Sequence, residues 1–229
     1  MSNRLKTSSS INRLERKWAL NGNVDVNAFS IAISKSNFFF REIYSPRSIN
    51  TVYFDDTSLS SINENLDGVT YKKKFRVRWY GDSKVISKPQ LEIKSKVGFI
   101  TKKKTFLIDN FDDTKFDYEG IVKISNIFQE KLKINKILNP ILSTHYLRYY
   151  FLSHNKNIRS TFDVNLRSHQ LFGSNDFSFK KNFNNQVFEI KYNKIYDNYV
   201  KNNLKDISFR MSKSSKYIIS ALNIPTSFS

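Results

Sequence analysis

The stretch Lys72-Lys73-Lys74-Phe75-Arg76-Val77-Arg78-Trp79-Tyr80 decides the fold. Side chains of a strand alternate between two faces, so Lys72, Lys74, Arg76, Arg78 and Tyr80 fall on one side and Phe75, Val77 and Trp79 on the other. Leu91-Glu92-Ile93-Lys94-Ser95-Lys96 repeats the pattern with Glu92, Lys94 and Lys96 in phase. Past Gly98, Ile100, Lys102 and Lys104 alternate with Thr101, Lys103 and Thr105. The short connections predict an antiparallel meander. Further strands are expected at Ser143 to Leu152 (Tyr146, Arg148, Tyr150), Asn157 to Leu166 (Arg159, Thr161, Asp163) and Val187 to Tyr192 (Val187, Glu189, Lys191). Arg13 to Trp18 and Ile49 to Phe54 read as two more.

Between them, apolar residues at helical spacing predict helices over 25–34, 58–66, 119–133 and 199–211, the first with Asp25 as its N-cap. The Asn-, Ser- and Phe-rich stretch from Phe172 to Asn185 reads as a loop.

The chain has 229 residues with 38 Lys and Arg against 20 Asp and Glu, a net charge of +18. Such a balance favours polyanions as partners. Aromatics at 15% and hydrophobic residues at 39% exclude a disordered basic tail. With no cysteine, disulfides, thiolate metal sites and cysteine nucleophiles are excluded. No stretch approaches the ~20 apolar residues of a membrane span and no leader is visible, so a cytoplasmic location is expected. The expected organisation is a disordered tail over 1–12, one domain over 13–222 and a short tail over 223–229.

Like charges facing each other across antiparallel strands are destabilising. A closed antiparallel β-barrel with flanking helices, an α+β fold, accounts for the recurring cations if they line a tunnel that a bound polyanion relieves. Arg supplies a planar fork for phosphate oxygens and Lys a point charge. The carboxylates in phase with them, Glu92, Glu189, Asp163 and Glu15, suit Mg2+ or Mn2+ as oxygen ligands. A nucleic-acid binder is disfavoured, because stacking aromatics are expected on the face of the cations, whereas Phe75 and Trp79 oppose Lys74, Arg76 and Arg78. His145, His154 and His169 read as structural or exposed.

The ordered set Val52-Tyr53-Phe54-Asp55, Leu66-Asp67-Gly68-Val69, Lys72-x-Lys74-x-Arg76-x-Arg78-Trp79-Tyr80-Gly81, Leu91-Glu92-Ile93-Lys94-Ser95-Lys96, Lys102-x-Lys104, Tyr146-x-Arg148, Arg159-x-Thr161-x-Asp163, Phe188-Glu189-Ile190-Lys191 and Ser215-Lys216-Tyr217 resembles the VTC domain, the polyphosphate polymerase module of the triphosphate tunnel metalloenzymes, relatives of the CYTH proteins. The resemblance implies that Arg76, Arg78, Lys94, Lys102, Lys104, Arg148 and Lys216 hold phosphates. Lys17, Lys72, Lys74, Lys96, Arg159 and Lys191 would line the tunnel beside them, Lys72 standing where the family usually has Arg. Glu189 would be the main metal ligand, with Glu92 and Asp163 as helpers. CYTH relatives open with Glu-x-Glu-x-Lys, and here Arg13-x-Glu15-x-Lys17 replaces the first carboxylate with a cation. That points towards phosphoryl transfer from ATP to a phosphate or polyphosphate end, and away from hydrolysis. A tripolyphosphate or nucleoside triphosphate hydrolase of the same fold is the alternative, and a non-catalytic polyphosphate- or inositol-phosphate-binding module another. Coupling synthesis to export would need a separate membrane partner protein.

Overall fold

In the computed structural model, residues 5–9, 13–21, 24–97, 100–108, 110–132, 136–171, 181–183, 185–204 and 216–222 are described. The strands are β1 (Leu5–Ser9), β2 (Arg13–Asn21), β3 (Arg41–Asp55), β4 (Tyr71–Tyr80), β5 (Val85–Ile86), β6 (Gln90–Val97), β7 (Ile100–Leu107), β8 (Thr114–Lys115), β9 (Asn139–Leu152), β10 (Ile158–Gln170), β11 (Lys181–Phe183) and β12 (Asn185–Asn193). The helices are α1 (Val26–Ser34), α2 (Ser60–Leu66), α3 (Tyr118–Leu132), α4 (Asp197–Asn203) and α5 (Lys216–Ala221). A ten-stranded sheet runs in the order β1-β7-β6-β4-β3-β9-β10-β12-β2, with β11 appended to β10 and every pairing antiparallel.

The closed barrel expected from the sequence is corrected here. The strand path is open, with β1 and β2 at its ends, and no ladder among the described residues joins them. The sheet is nonetheless curled: Lys94 of β6 and Lys74 of β4 both feel the charge of Lys17 on β2. Drawing the two edges into register would press these like charges closer, which opposes closure. The expected N-terminal tail also needs correction, since β1 within it pairs with β7 from Leu5↔Phe106 to Ser9↔Lys102.

The strand faces carry the alternation into two layers. The outer apolar face is covered in two patches. Phe29 and Ile33 of α1 and Val200 of α4 bury Trp18, Phe162, Phe188 and Ile190, with Phe29 stacked on Phe162 at 3.9 Å between ring centres. Ile121, Ile124 and Phe128 of α3 bury Val52, Phe54, Val77, Trp79 and Leu91. Such aromatic and aliphatic burial supplies the main driving force for the fold. Asp25 caps α1 by accepting from the Ala28 N–H at 2.9 Å. Gly120 sits where α3 meets the paired strands β5 and β8; a Cβ there would lie 2.0 Å from the Lys115 carbonyl oxygen.

α2 and α5 close one end of the inner face. Buried Asp55 at the end of β3 accepts the Ser61 and Ile62 N–H groups of α2, each at 3.0 Å, and the Tyr217 hydroxyl of α5 at 2.9 Å. Tyr217 stacks on Tyr53 at 4.6 Å. Helix 199–211 begins earlier than expected, at Asp197, and its part beyond 204 lies outside the described residues. Of the loop expected over Phe172 to Asn185, the described part, 181–183 and 185, is strand. No described helix is long and apolar enough to cross a membrane.

Candidate functional site

Register places the charged side chains on the concave face. β4 and β6 oppose Lys72 to Lys96, Lys74 to Lys94 and Arg76 to Glu92. β9 and β10 oppose Arg148 to Asp163. β12 sets Glu189 between Thr161 and Lys17, and Lys191 between Arg159 and Glu15. Lys216 reaches the same face from the start of α5.

Three buried carboxylate nodes organise the cations. Glu92 is fully buried; its Oε2 accepts from Arg76 Nε at 2.5 Å and its Oε1 meets Lys103. Burial pushes its pKa up, yet Arg76, Arg78 and Lys103 outweigh that and bring it down to about 2. Asp163, 2% exposed, takes the Arg148 guanidinium in a fork at 2.5 and 2.7 Å and also the Lys216 ammonium. Burial opposes its charge, but Arg148 and Lys216 hold it well below the usual carboxylate range. Lys216 and Arg148 both lie over the Tyr146 ring, at 4.7 and 5.3 Å. Glu189 meets Lys17 at 3.1 Å and also Lys191; Glu15 shares both lysines.

Further cations crowd the same face. Among the described residues no carboxylate lies within ion-pair distance of Arg78 or Lys94. Arg78 is buried, with long hydrogen bonds to Thr51 Oγ1 at 3.4 Å and the Tyr146 hydroxyl at 3.5 Å. Lys74 is pushed down to about 7 by burial and then by Lys94, Lys17, Arg76 and Lys72. Lys94 falls to about 8 through burial, with Lys17, Arg76 and Arg78 outweighing the help of Glu15. Lys191 falls to about 7, burial and the cations Arg148, Lys17 and Lys94 outweighing Glu15. The concave face holds more positive charge than its own carboxylates compensate.

The sequence-predicted residues divide into three groups. Lys17, Lys74, Arg76, Arg78, Glu92, Lys94, Arg148, Asp163, Glu189, Lys191 and Lys216 converge. Lys72 is half-buried, while Lys96 and Arg159 are exposed at the rims. Lys102 and Lys104 are the correction: they pair with Ser95 and Ile93, lie on the opposite face and are exposed. The residue that enters from β7 is Lys103, opposite Lys94. A two-residue connection between Val97 and Ile100 fixes that phase; the run Thr101-Lys102-Lys103-Lys104-Thr105 hides it, because it offers cations to both faces. Among the histidines, His145 Nδ1 contacts Asn50 Oδ1 at 2.7 Å, His169 is buried and His154 is exposed.

For a divalent cation, Glu15 and Glu189 form the set that fits. They share the same two ammoniums, Lys17 and Lys191, which brings the two carboxylates together; Glu189 meets Lys191 through its buried Oε1 and Lys17 through Oε2. No group of three or more His, Asp or Glu side chains suited to a metal occurs there, so substrate oxygens or water would complete the shell. Glu92 and Asp163, expected as helpers, each stand among cations without a second carboxylate that shares their partners among the described residues.

A single antiparallel sheet curled around an over-positive interior, with helices on its outer face, defines a β domain with a cationic concave face. The chain belongs to the VTC domain family, whose model matches residues 11–223. A search of curated proteins found no match. Among solved structures, the chain is similar to an adenylate cyclase candidate from Vibrio parahaemolyticus, with 11% identity and TM-score 0.49 over 91% of this chain and 98% of that one. It is also similar to an adenylyl cyclase candidate from Hippeastrum described with a dominant triphosphatase activity (12%, 0.48, 91% and 96%). A third is a protein of Pyrococcus horikoshii (10%, 0.48, 91% and 97%).

Proposed function

We propose that this chain is a polyphosphate-polymerase-like phosphotransferase, moving the γ-phosphate of ATP to the oxygen of a phosphate or of a polyphosphate end. The observation that carries this reading is the cation run on the concave face of β4 and β6, where Lys74 lies directly opposite Lys94 and Arg78 follows along β4, both lysines having depressed pKa values. Their mutual repulsion is a cost in the empty protein, and a phosphate chain relieves it.

Phosphoryl transfer asks little covalent work of a protein, so positioning and charge neutralisation carry it. The bond from the γ-phosphorus to its bridging oxygen breaks, an acceptor oxygen bonds to that phosphorus and ADP departs. Arg78 and Arg76 present guanidinium forks to equatorial oxygens, and Lys74, Lys94 and Lys103 supply point charges. Asp163 orients Arg148 and Lys216 so that their remaining N–H groups face the interior. Mg2+ or Mn2+ held by Glu189 and Glu15 would neutralise charge on the triphosphate.

The test is incubation with ATP labelled on the γ-phosphate and Mn2+, followed by gel separation. Label in a ladder of long chains is the expected result. Label only in orthophosphate would identify a hydrolase and refute the transferase. Untouched ATP that is nevertheless bound would identify a binding module.

A further inference from the structure

Beyond the last cations of β4 and β9, the concave face ends in tyrosines. Tyr80 follows Arg78 in phase on β4, and Tyr150 follows Arg148 on β9. Tyr44 joins them from β3. It pairs with Tyr150 while Arg47 pairs with Arg148, so three steps along β3 answer two along β9. This is a β-bulge, and Pro46 inside it has no N–H to give to a ladder. Bulges re-aim side chains, and here the result is specific. The Tyr44 and Tyr150 rings stand 6.0 Å apart at 79°, and the Arg47 guanidinium lies 5.6 Å from the first and 5.7 Å from the second. Tyr80 stands close enough to act on the Tyr150 phenol. Burial raises that phenol above its ordinary pKa despite Arg148, so the ring stays neutral beside phosphate.

These rings do little for the core: Tyr44 is 56% exposed and Tyr80 40%. They are nonetheless held in place, by a bulge and by a shared arginine, next to the anion site. Aromatic faces and a guanidinium plane stack on any flat π-system, and purines offer the largest area. Arg148 is one side-chain repeat from Tyr150, roughly 6.6 Å along the strand, a spacing that suits a ribose between a stacked base and a held phosphate.

We propose that Tyr44, Arg47, Tyr80 and Tyr150 form a stacking subsite for the purine base of a nucleoside triphosphate at the mouth of the cationic interior. The subsite rests on the reading that Arg148 and Arg78 hold phosphates. It gives the chain a means of telling a nucleotide donor from inorganic polyphosphate, which the cations alone do not provide. It takes a π-face and reads no hydrogen-bonding edge, so ATP and GTP bind alike and better than CTP.

Titration calorimetry of the whole chain with ATP and, separately, with tripolyphosphate tests this, in the wild type, Tyr44→Ala and Tyr44→Phe. Stacking on one ring corresponds to about fivefold to a hundredfold in affinity. Tyr44→Ala should lose ATP affinity within that range and keep tripolyphosphate to within about twofold of wild type, while Tyr44→Phe keeps both. Equal losses for both ligands, or none for ATP, overturn the base subsite alone. A wild type that binds neither ligand overturns the phosphate reading and the subsite with it. If Tyr44→Ala does not fold, Tyr80→Ala must show the same split between the ligands.

Discussion

Loading the concave face with a polyanion should pull protons out of solution. In the empty protein Lys74 and Lys191 titrate near 7 and Lys94 near 8, against an ordinary 10.5. Their depressing neighbours are Lys17, Lys72, Arg76, Arg78 and Arg148, with Glu15 acting the other way on Lys94 and Lys191. A bound phosphate chain replaces desolvation and repulsion with attraction and returns each amine towards its ordinary value. At pH 8 the empty protein lacks roughly nine-tenths of a proton at each of Lys74 and Lys191 and about half at Lys94, so binding takes up roughly two. Affinity therefore falls as pH rises, by roughly a hundredfold per unit near pH 8 and only slightly below pH 6. Calorimetry with long-chain polyphosphate, whose internal phosphates carry no proton in this range, reads the uptake directly when run at pH 8 in buffers of different ionisation enthalpy. An uptake below about half a proton, or an affinity flat between pH 6 and 9, would refute the reasoning.

Three further outcomes are expected. Asp163→Ala leaves Arg148 and Lys216 as buried cations without their shared carboxylate, and should cost about 3 kcal/mol or more in denaturant unfolding. Lys103→Ala should weaken polyphosphate binding severalfold, whereas Lys102→Ala and Lys104→Ala, which alter the outer face, should change it far less in the same titration. Gly120→Ala drives a methyl into the Lys115 carbonyl and should destabilise by about 1–3 kcal/mol in thermal melts.

Much of the layering was legible because charged and apolar residues alternate from Lys74 to Trp79, from Leu91 to Lys94 and from Phe188 to Lys191, so the face of each side chain follows from the pattern. α1 was legible as a helix through its cap Asp25, though not for the face it buries, and α3 was legible through Ile121, Ile124 and Phe128. Where alternation failed, legibility failed. β7 carries lysines on both faces, and only its pairing with β6 tells Lys103 from its neighbours. β3 was read as Ile49 to Phe54, yet it runs from Arg41 to Asp55, because the bulge at Ser45-Pro46 breaks the period. The same break hid the Tyr44–Arg47–Tyr150 cluster, which needs two strands and a slipped register to exist. Closure was misjudged for another reason: periodicity specifies which way a side chain points, and says nothing about whether the first and last strands meet.

That open path has a consequence for how the chain is made. Its two ends, β1 and β2, are consecutive in sequence, yet their partners β7 and β12 come far later: Thr7 pairs with Lys104 and Glu15 with Lys191. A chain leaving the ribosome presents its sheet margins first and finds their mates last. Contacts of such sequence separation are slow to form, and unpaired margins are exposed to other nascent chains while they wait. Completion of the sheet is thus timed by the arrival of β12, when β2 is finally seated.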